Sequence, residues 1–339
     1  MMRLLSEADI EALLDPPLAL AAADEAYRLH AAGGALGPGR IDLRPSEGGA
    51  GMLTLAAFGS RPGGPACVKT NVHVQPDTAA RRHGSLVTLW DVDACRPRAI
   101  LSGLTFNRRR TAAGFASACR LLARQDAARL TVFGAGAMAP ETVRLICAVR
   151  PIREVLIVGR DPARAAALAA RLSALSELSG VAIRAETDPR GAAGWADVIV
   201  AVTSADAPVF PGEAVRDGTF VVLGGANRPT AREADDVLIG RAAVFVDHLD
   251  GCLTRAGDLA LPLTSGALRR EAILGEIGAF PEGRSPVCAG ITVFKSIGVA
   301  MQDLVLAQRL VERAEAAGVG ALFDLASGAV NAARTEPAQ

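Results

Sequence analysis

The stretch Leu130-Thr131-Val132-Phe133-Gly134-Ala135-Gly136-Ala137-Met138-Ala139 decides how the chain is read. A short apolar run ends in G-x-G-x-x-A, and a segment with helical spacing follows. In that setting Gly134 permits a tight turn, Gly136 lets backbone approach a pyrophosphate, and small Ala139 lets helix and strand pack closely. Pro140, in the first turn of the helix, costs nothing because that N–H has no helical partner. Alone, such a motif is also compatible with a plain turn. A strand before it, a helix after it and a second strand at Glu154–Val158 favour a dinucleotide site.

Outward from this motif, strand and helix alternate. Leu130–Phe133, Glu154–Val158, Val198–Val202, Phe220–Leu223 and Ala243–Val246 are short continuous apolar runs, as expected of strands buried on both faces. Glu141–Val149, Pro162–Leu175 and Thr230–Ile239 read as crossover helices, so the segment predicts a doubly wound parallel sheet. Upstream, Leu4–Ala32 has helical spacing broken at Pro16-Pro17 and predicts two short helices. Runs at Met52–Ala57, Ala66–Val74 and Leu86–Val92, separated by turn residues, predict an antiparallel sheet. A helix is expected over Thr111–Arg124 and another over Val299–Ala316, the latter returning to the first domain. A polar tail after Asn331 is expected to fray.

Composition narrows the function. The 339 residues are 50% hydrophobic and 21% charged, with Lys plus Arg and Asp plus Glu at 36 each. This is ordinary globular composition without a field that draws nucleic acid or an anionic membrane, so a small-molecule partner is expected. The acids after Met1-Met2-Arg3-Leu4-Leu5 come too early for a signal peptide and no apolar span is long enough for a membrane, which predicts a cytoplasmic protein. Cys67, Cys95, Cys119, Cys147, Cys252 and Cys288 are scattered, with no C-x-x-C pair and no His at ligand spacing. They read as reduced thiols, and no metal is expected.

The choice of dinucleotide is read after the second strand, where Gly159-Arg160 replaces the acid usual in an NAD site. Arg160, with Arg164 one turn on, suits a 2′-phosphate, so NADP(H) is favoured over NAD(H). Asp161 has two readings, a ribose ligand or the N-cap before an N1 proline at Pro162. The cofactor-binding set is Gly134, Gly136, Ala137, Met138, Ala139, Arg160, Arg164, Thr203, Asn227, Lys295 and Ser296.

Several spaced motifs then resemble the ornithine cyclodeaminase/mu-crystallin family over nearly the whole chain. They are Val68-Lys69-Thr70, Arg110-Thr111-Ala112-Ala113, the turn at Gly134–Ala139, Gly224-Gly225-Ala226-Asn227-Arg228-Pro229 with Glu233, and Thr292-Val293-Phe294-Lys295-Ser296-Ile297-Gly298. The resemblance implies a Rossmann domain (119–298) inserted into an α+β substrate-binding and dimerisation domain built from both chain ends (1–118 and 299–339), forming a homodimer through its sheet. It also implies that Arg40, Lys69 and Arg110 hold a substrate α-carboxylate, with Lys69, Arg110 and Asn227 at the reacting centre. Arg108 and Arg109 read as solvated. His83 resembles a pocket histidine of the mu-crystallin branch and reads equally as a turn histidine. His30, His73 and His248 read as structural.

One position departs from the name of the family. Cyclodeaminases carry an aspartate where this chain has Asn227, and an amide cannot act as a general base near neutrality. Reduction of a small cyclic ketimine carboxylate is therefore expected over cyclodeamination. Amino-acid dehydrogenation or cyclodeamination with NAD+ is the rival chemistry, and a nucleotide-dependent binding protein with little turnover is the rival class.

Overall fold

The computed structural model describes residues 1–43, 49–60, 64–75, 82–280 and 289–332. Cys288 and the tail beyond 332 lie outside the described residues. The chain divides into two compact units, Met1–Thr111 with Val299–Gln339, and Ala112–Gly298.

From the N-terminus the chain forms β1 (Met2–Leu5), α1 (Glu7–Leu13), α2 (Pro16–Ala31), β2 (Ala35–Leu43), β3 (Gly49–Gly59), β4 (Ala66–Gln75), β5 (Arg82–Asp91), β6 (Arg96–Ser102) and α3 (Leu104–Leu122). Next come β7 (Arg129–Phe133), α4 (Ala139–Val149), β8 (Glu154–Val158), α5 (Pro162–Ser173), β9 (Ala182–Glu186), α6 (Pro189–Trp195), β10 (Val198–Ala201), β11 (Phe220–Leu223), α7 (Asp236–Arg241), β12 (Ala242–Val246), α8 (Leu249–Arg255), α9 (Gly257–Ser265), β13 (Ile273–Glu276) and β14 (Ile291–Lys295). The chain closes with α10 (Ala300–Ala316), β15 (Ala321–Phe323) and β16 (Val330–Ala332).

In the first unit the sheet runs β16-β15-β1-β6-β5-β4-β3-β2. It is antiparallel except for the parallel pair β1 and β6. Helix α10 packs on α2 and across β2–β5. Leu55, Cys67, Val87, Leu89, Ala99 and Leu101 fill the face beneath it. Residues directly opposite across an antiparallel pair share a face. The opposite face therefore carries the half-exposed apolar residues Ile41, Leu43, Phe58, Val72, Leu86 and Trp90.

In the second unit the sheet runs β13-β12-β14-β11-β10-β7-β8-β9, every neighbouring pair parallel. The order leads outward from β7 in both directions, which is the doubly wound arrangement with its switch point between β7 and β10. The strands β10 and β11 are fully buried, as their unbroken apolar runs require.

The two helices expected around the prolines are present, and Pro16-Pro17 open α2 behind the Asp15 cap, where proline lacks no needed bond. Several sequence expectations are corrected. Strand β1 was not expected, because Met2–Leu5 merges with the helical spacing that follows. Helix α3 begins at Leu104, not Thr111. The helix expected over Thr230–Ile239 is reduced to Asp236–Arg241, since Asp235 caps it from outside and Glu233 is drawn into the buried network described below. The run read as tail holds β16 up to Ala332. Among the described residues no helix is long and apolar enough to cross a membrane. The described cysteines are free. Burial pushes the thiols of Cys119 and Cys147 up to about 12, which leaves them protonated.

Candidate functional site

Each unit carries one group of predicted residues. In the second unit the G-x-G-x-x-A turn joins β7 to α4. Gly134 sits at φ +116, and a Cβ there would lie 2.7 Å from Val202 O, so only glycine fits. A Cβ at Gly136 would meet nothing within 4 Å, so this turn faces open space. Ala139 is fully buried at the start of α4. After β8, Arg160 and Arg164 are exposed and have no ion-pair partner among the described residues. Asp161 is the cap of α5, accepting from Ala163 N at 3.0 Å and Arg164 N at 3.2 Å.

The carboxyl ends of β10, β11 and β14 are tied together by buried charge. Glu233 Oε1 accepts from Thr203 N (2.6 Å) and Thr203 Oγ1 (2.8 Å), while Oε2 accepts from Gly225 N (2.7 Å) and Ala226 N (3.3 Å). Gly225 must lack a Cβ, which would fall 2.1 Å from Thr203 O. Lys295, fully buried, donates to Ala226 O at 2.6 Å and to Asp258 Oδ2 at 2.8 Å, and Asp258 Oδ1 accepts from Glu233 N and Ala234 N. Burial and the Asp258 charge raise the Glu233 pKa, against the pull of Lys295. Burial opposes the Lys295 charge, but Asp258 and Glu233 outweigh it and raise its pKa.

Lys295 and Ser296 are thus committed within the protein. Lys295 braces the loop that carries Asn227, and Ser296 Oγ donates to Asp247 Oδ2 at 2.7 Å. Two of the three Lys295 N–H groups and the Ser296 hydroxyl proton are used in this way, which leaves one Lys295 N–H. Asn227 differs: its Oδ1 is buried and has no hydrogen-bond partner among the described residues.

The group in the first unit is built on β4, α3 and α10. Lys69, fully buried in mid-strand, donates to Asn107 Oδ1 at 2.9 Å and to Asp303 Oδ1 at 2.8 Å. Arg110, 7% exposed, places Nε 2.8 Å from the same Asp303 oxygen, an ion pair without hydrogen-bond alignment. Its Nη1 donates to Gln302 Oε1 and its Nη2 to Asn107 Oδ1, both at 3.4 Å. Burial, with Arg110 beside it, pulls the Lys69 pKa down to about 7 against the opposing pull of Asp303. Arg40 on β2 opposes Leu55, which opposes Lys69, so Arg40 and Lys69 share a face at about 10 Å, two strand spacings.

His83 is not brought to this group. It is exposed, pairs with His73, and lies four residues along β5 from Val87, the partner of Lys69, or about 13 Å. Arg108 and Arg109, expected to be solvated, fasten α3 to α1. Arg108 contacts Glu7 and Thr105, and Arg109 donates to Glu11 O and Leu14 O. His248 caps α8 by accepting from Gly251 N.

Sequence reasoning missed Asp303, Asn107, Gln302 and Asp258. Asp303 had a signal: it stands on the helical stripe continued by Ala307, Leu310 and Ala314, where a charge is out of place. A second signal is compositional. Of the 36 basic residues only Lys69 and Lys295 are lysines, and both are fully buried against an aspartate.

The fold and motifs agree with known proteins. The profile of the ornithine cyclodeaminase/mu-crystallin family matches residues 1–318. A Delta(1)-pyrroline-2-carboxylate reductase of Colwellia psychrerythraea is 34% identical over 232 residues, 68% of this chain and 73% of the relative. The structure of the Thermococcus litoralis Delta(1)-pyrroline-2-carboxylate reductase, in complex with NADH and L-proline, superposes with a TM-score of 0.88 at 26% identity, covering 94% of this chain and 99% of that one. The iminosuccinate reductase of Paracoccus denitrificans, in complex with NAD+, gives a TM-score of 0.81 at 26% identity over 94% and 98% of the two chains. The chain belongs to the ornithine cyclodeaminase/mu-crystallin family.

Proposed function

We propose that this protein is a nicotinamide-dependent reductase of small cyclic ketimine carboxylates, converting Δ1-pyrroline-2-carboxylate or Δ1-piperideine-2-carboxylate to proline or pipecolate. The observation that carries the reading is the pair Lys69 and Arg110, two cations buried side by side with one carboxylate between them. Such a pair is costly unless it serves an anion. The substrate α-carboxylate is that anion, and Arg40, on the same face, extends the clamp.

The turn at Gly134–Ala139 fits a dinucleotide, because the open space at Gly136 leaves backbone free to approach a pyrophosphate. A reduced nicotinamide, when bound, would supply hydride to the carbon of a C=N bond already protonated at nitrogen, which gives the amine. The protein's part is to orient the carboxylate and to offer charge. Asn227, whose Oδ1 lacks a partner among the described residues, offers an acceptor to the nicotinamide amide, and its amide supplies no base for water attack. The test is to follow NADPH oxidation with Δ1-pyrroline-2-carboxylate. Arg110→Met is expected to lower kcat/KM by about 2–5 kcal/mol of transition-state stabilisation, as for one half of a desolvated charge pair. Wild-type kcat/KM in that variant places the clamp elsewhere.

Preference for NADP(H) rests on Arg160 and Arg164, exposed guanidiniums following β8 where an acid would otherwise meet the ribose. Asp161 caps α5 through Oδ1. Wild type is expected to show higher kcat/KM with NADPH than with NADH, and Arg160→Ala to erase the difference. Equal values with both cofactors in the wild type refute the role of Arg160.

The protein is further proposed to be a homodimer through the outer face of the first unit's sheet. Ile41 (55% exposed), Leu43 (53%), Val72 (45%) and Leu86 (47%) leave apolar surface on this face beside Thr54 and Thr70, and covering it by a second copy supports the reading. Leu86→Lys is expected to shift the mass measured by light scattering from two chains to one. An unchanged mass removes this face as the interface.

A further inference from the structure

We propose that Asp303 is the positioning residue of the clamp, one buried carboxylate that keeps Lys69 an ammonium beside Arg110 so that both cations face the substrate carboxylate. This rests on the reading of Lys69 and Arg110 as that clamp. Both cations meet the same Oδ1 at 2.8 Å, and Asp303 is 1% exposed. Two of the three Lys69 N–H groups are spent on Asn107 and Asp303, which leaves one to meet a ligand. Asp303 Oδ2 is buried without a partner, so it adds acceptor capacity that nothing else in the group satisfies.

The residue types support a titratable clamp. This chain uses arginine for every cation except Lys69 and Lys295. Arginine stays charged at any physiological pH, whereas a buried lysine can lose its proton. Burial and Arg110 drive Lys69 towards neutrality against the pull of Asp303, to about 7. The other groups near Lys69 do not replace Asp303. Cys67, two residues back on β4, is held as a neutral thiol by burial and by Asp303. Leu55 and Val87, on the flanking strands, are apolar. Arg40 is a cation two strands away, His73 and His83 lie about four residues further along the sheet, and Tyr27 is hydrogen-bonded to Gln302. Among the described residues, Lys69 has no other carboxylate beside it than Asp303.

The experiment uses the full-length protein labelled with [ε-13C]lysine, which gives two side-chain signals, that of Lys69 being identified by its loss in Lys69→Met. In wild type the Lys69 signal is expected to titrate near neutrality. In Asp303→Asn its midpoint should fall by about one pH unit or more, the scale of losing an adjacent opposite charge. Lys295 should not move. The alkaline limb of kcat/KM should fall with the Lys69 midpoint, because the clamp works only while Lys69 is charged. Asp303→Glu retains the charge and should keep the Lys69 midpoint near that of wild type, which covers the case in which Asp303→Asn does not fold. A Lys69 midpoint unchanged in Asp303→Asn, or lost in Asp303→Glu, overturns the proposal. Should the wild type reduce no cyclic imine, the reductase reading falls, while the titration still decides the role of Asp303.

Discussion

A buried ammonium has to be paired, and each unit of this protein is organised around one. Moving such a charge out of water costs several kcal/mol even after relaxation, and only close, hydrogen-bonded counter-charge offsets it. Lys295 meets that demand with Asp258 and Ala226 O, and in doing so fixes the loop from Gly224 to Asn227 at the carboxyl edge of the parallel sheet. Lys69 meets it with Asp303 and Asn107, but there Arg110 adds a second cation and one carboxylate serves both. The first arrangement holds charge nearly in balance and gives rigidity. The second leaves positive charge over, and the proposed carboxylate clamp rests on that excess.

Glu233 extends the same logic. Its four hydrogen bonds reach Thr203 after β10 and Gly225 and Ala226 after β11, so a single side chain sets the spacing of two strand ends next to the switch point. That demand also explains why the segment before α7 is irregular. Helical backbone from Thr230 would carry Glu233 along a helix face, whereas the network needs its backbone N–H on Asp258 and its carboxylate on two loops.

The parallel sheet was legible because its strands are buried on both faces and therefore read as unbroken apolar runs, as Glu154–Val158 and Phe220–Leu223 do. Among the strands that escaped, Ile291–Lys295 is itself fully buried and was read only as part of a family motif, whereas two others lack the signature. Ala182–Glu186 lies at an edge and alternates with charge, and Met2–Leu5 is four residues long. The glycine turn, the cap at Asp161 and Lys69 with Arg110 were readable, the last two only through spaced family motifs. Asn107 and Asp258 were not, and Asp303 showed only as a charge out of place on an apolar stripe, because the partners of a buried cation are set by packing between elements far apart in sequence. Lys69 and Asp303 are 234 positions apart. The scarcity of lysine in a chain rich in arginine pointed to both buried cations, since a cation that arginine cannot replace is one whose size or proton matters.

The central claim is that the site reduces a preformed C=N bond and does not make one by expelling ammonia. The proposed place of Asn227 in the site supports it, because cyclodeamination needs a group to take the amino proton and direct water, and an amide does neither. The direct measurement is to incubate the pure protein with ornithine and catalytic NAD+ and assay ammonia and proline, beside a parallel reaction with Δ1-pyrroline-2-carboxylate and NADPH. The account predicts proline from the imine, with NADPH consumed in equal amount, and little or no ammonia from ornithine. Stoichiometric ammonia and proline from ornithine would contradict it.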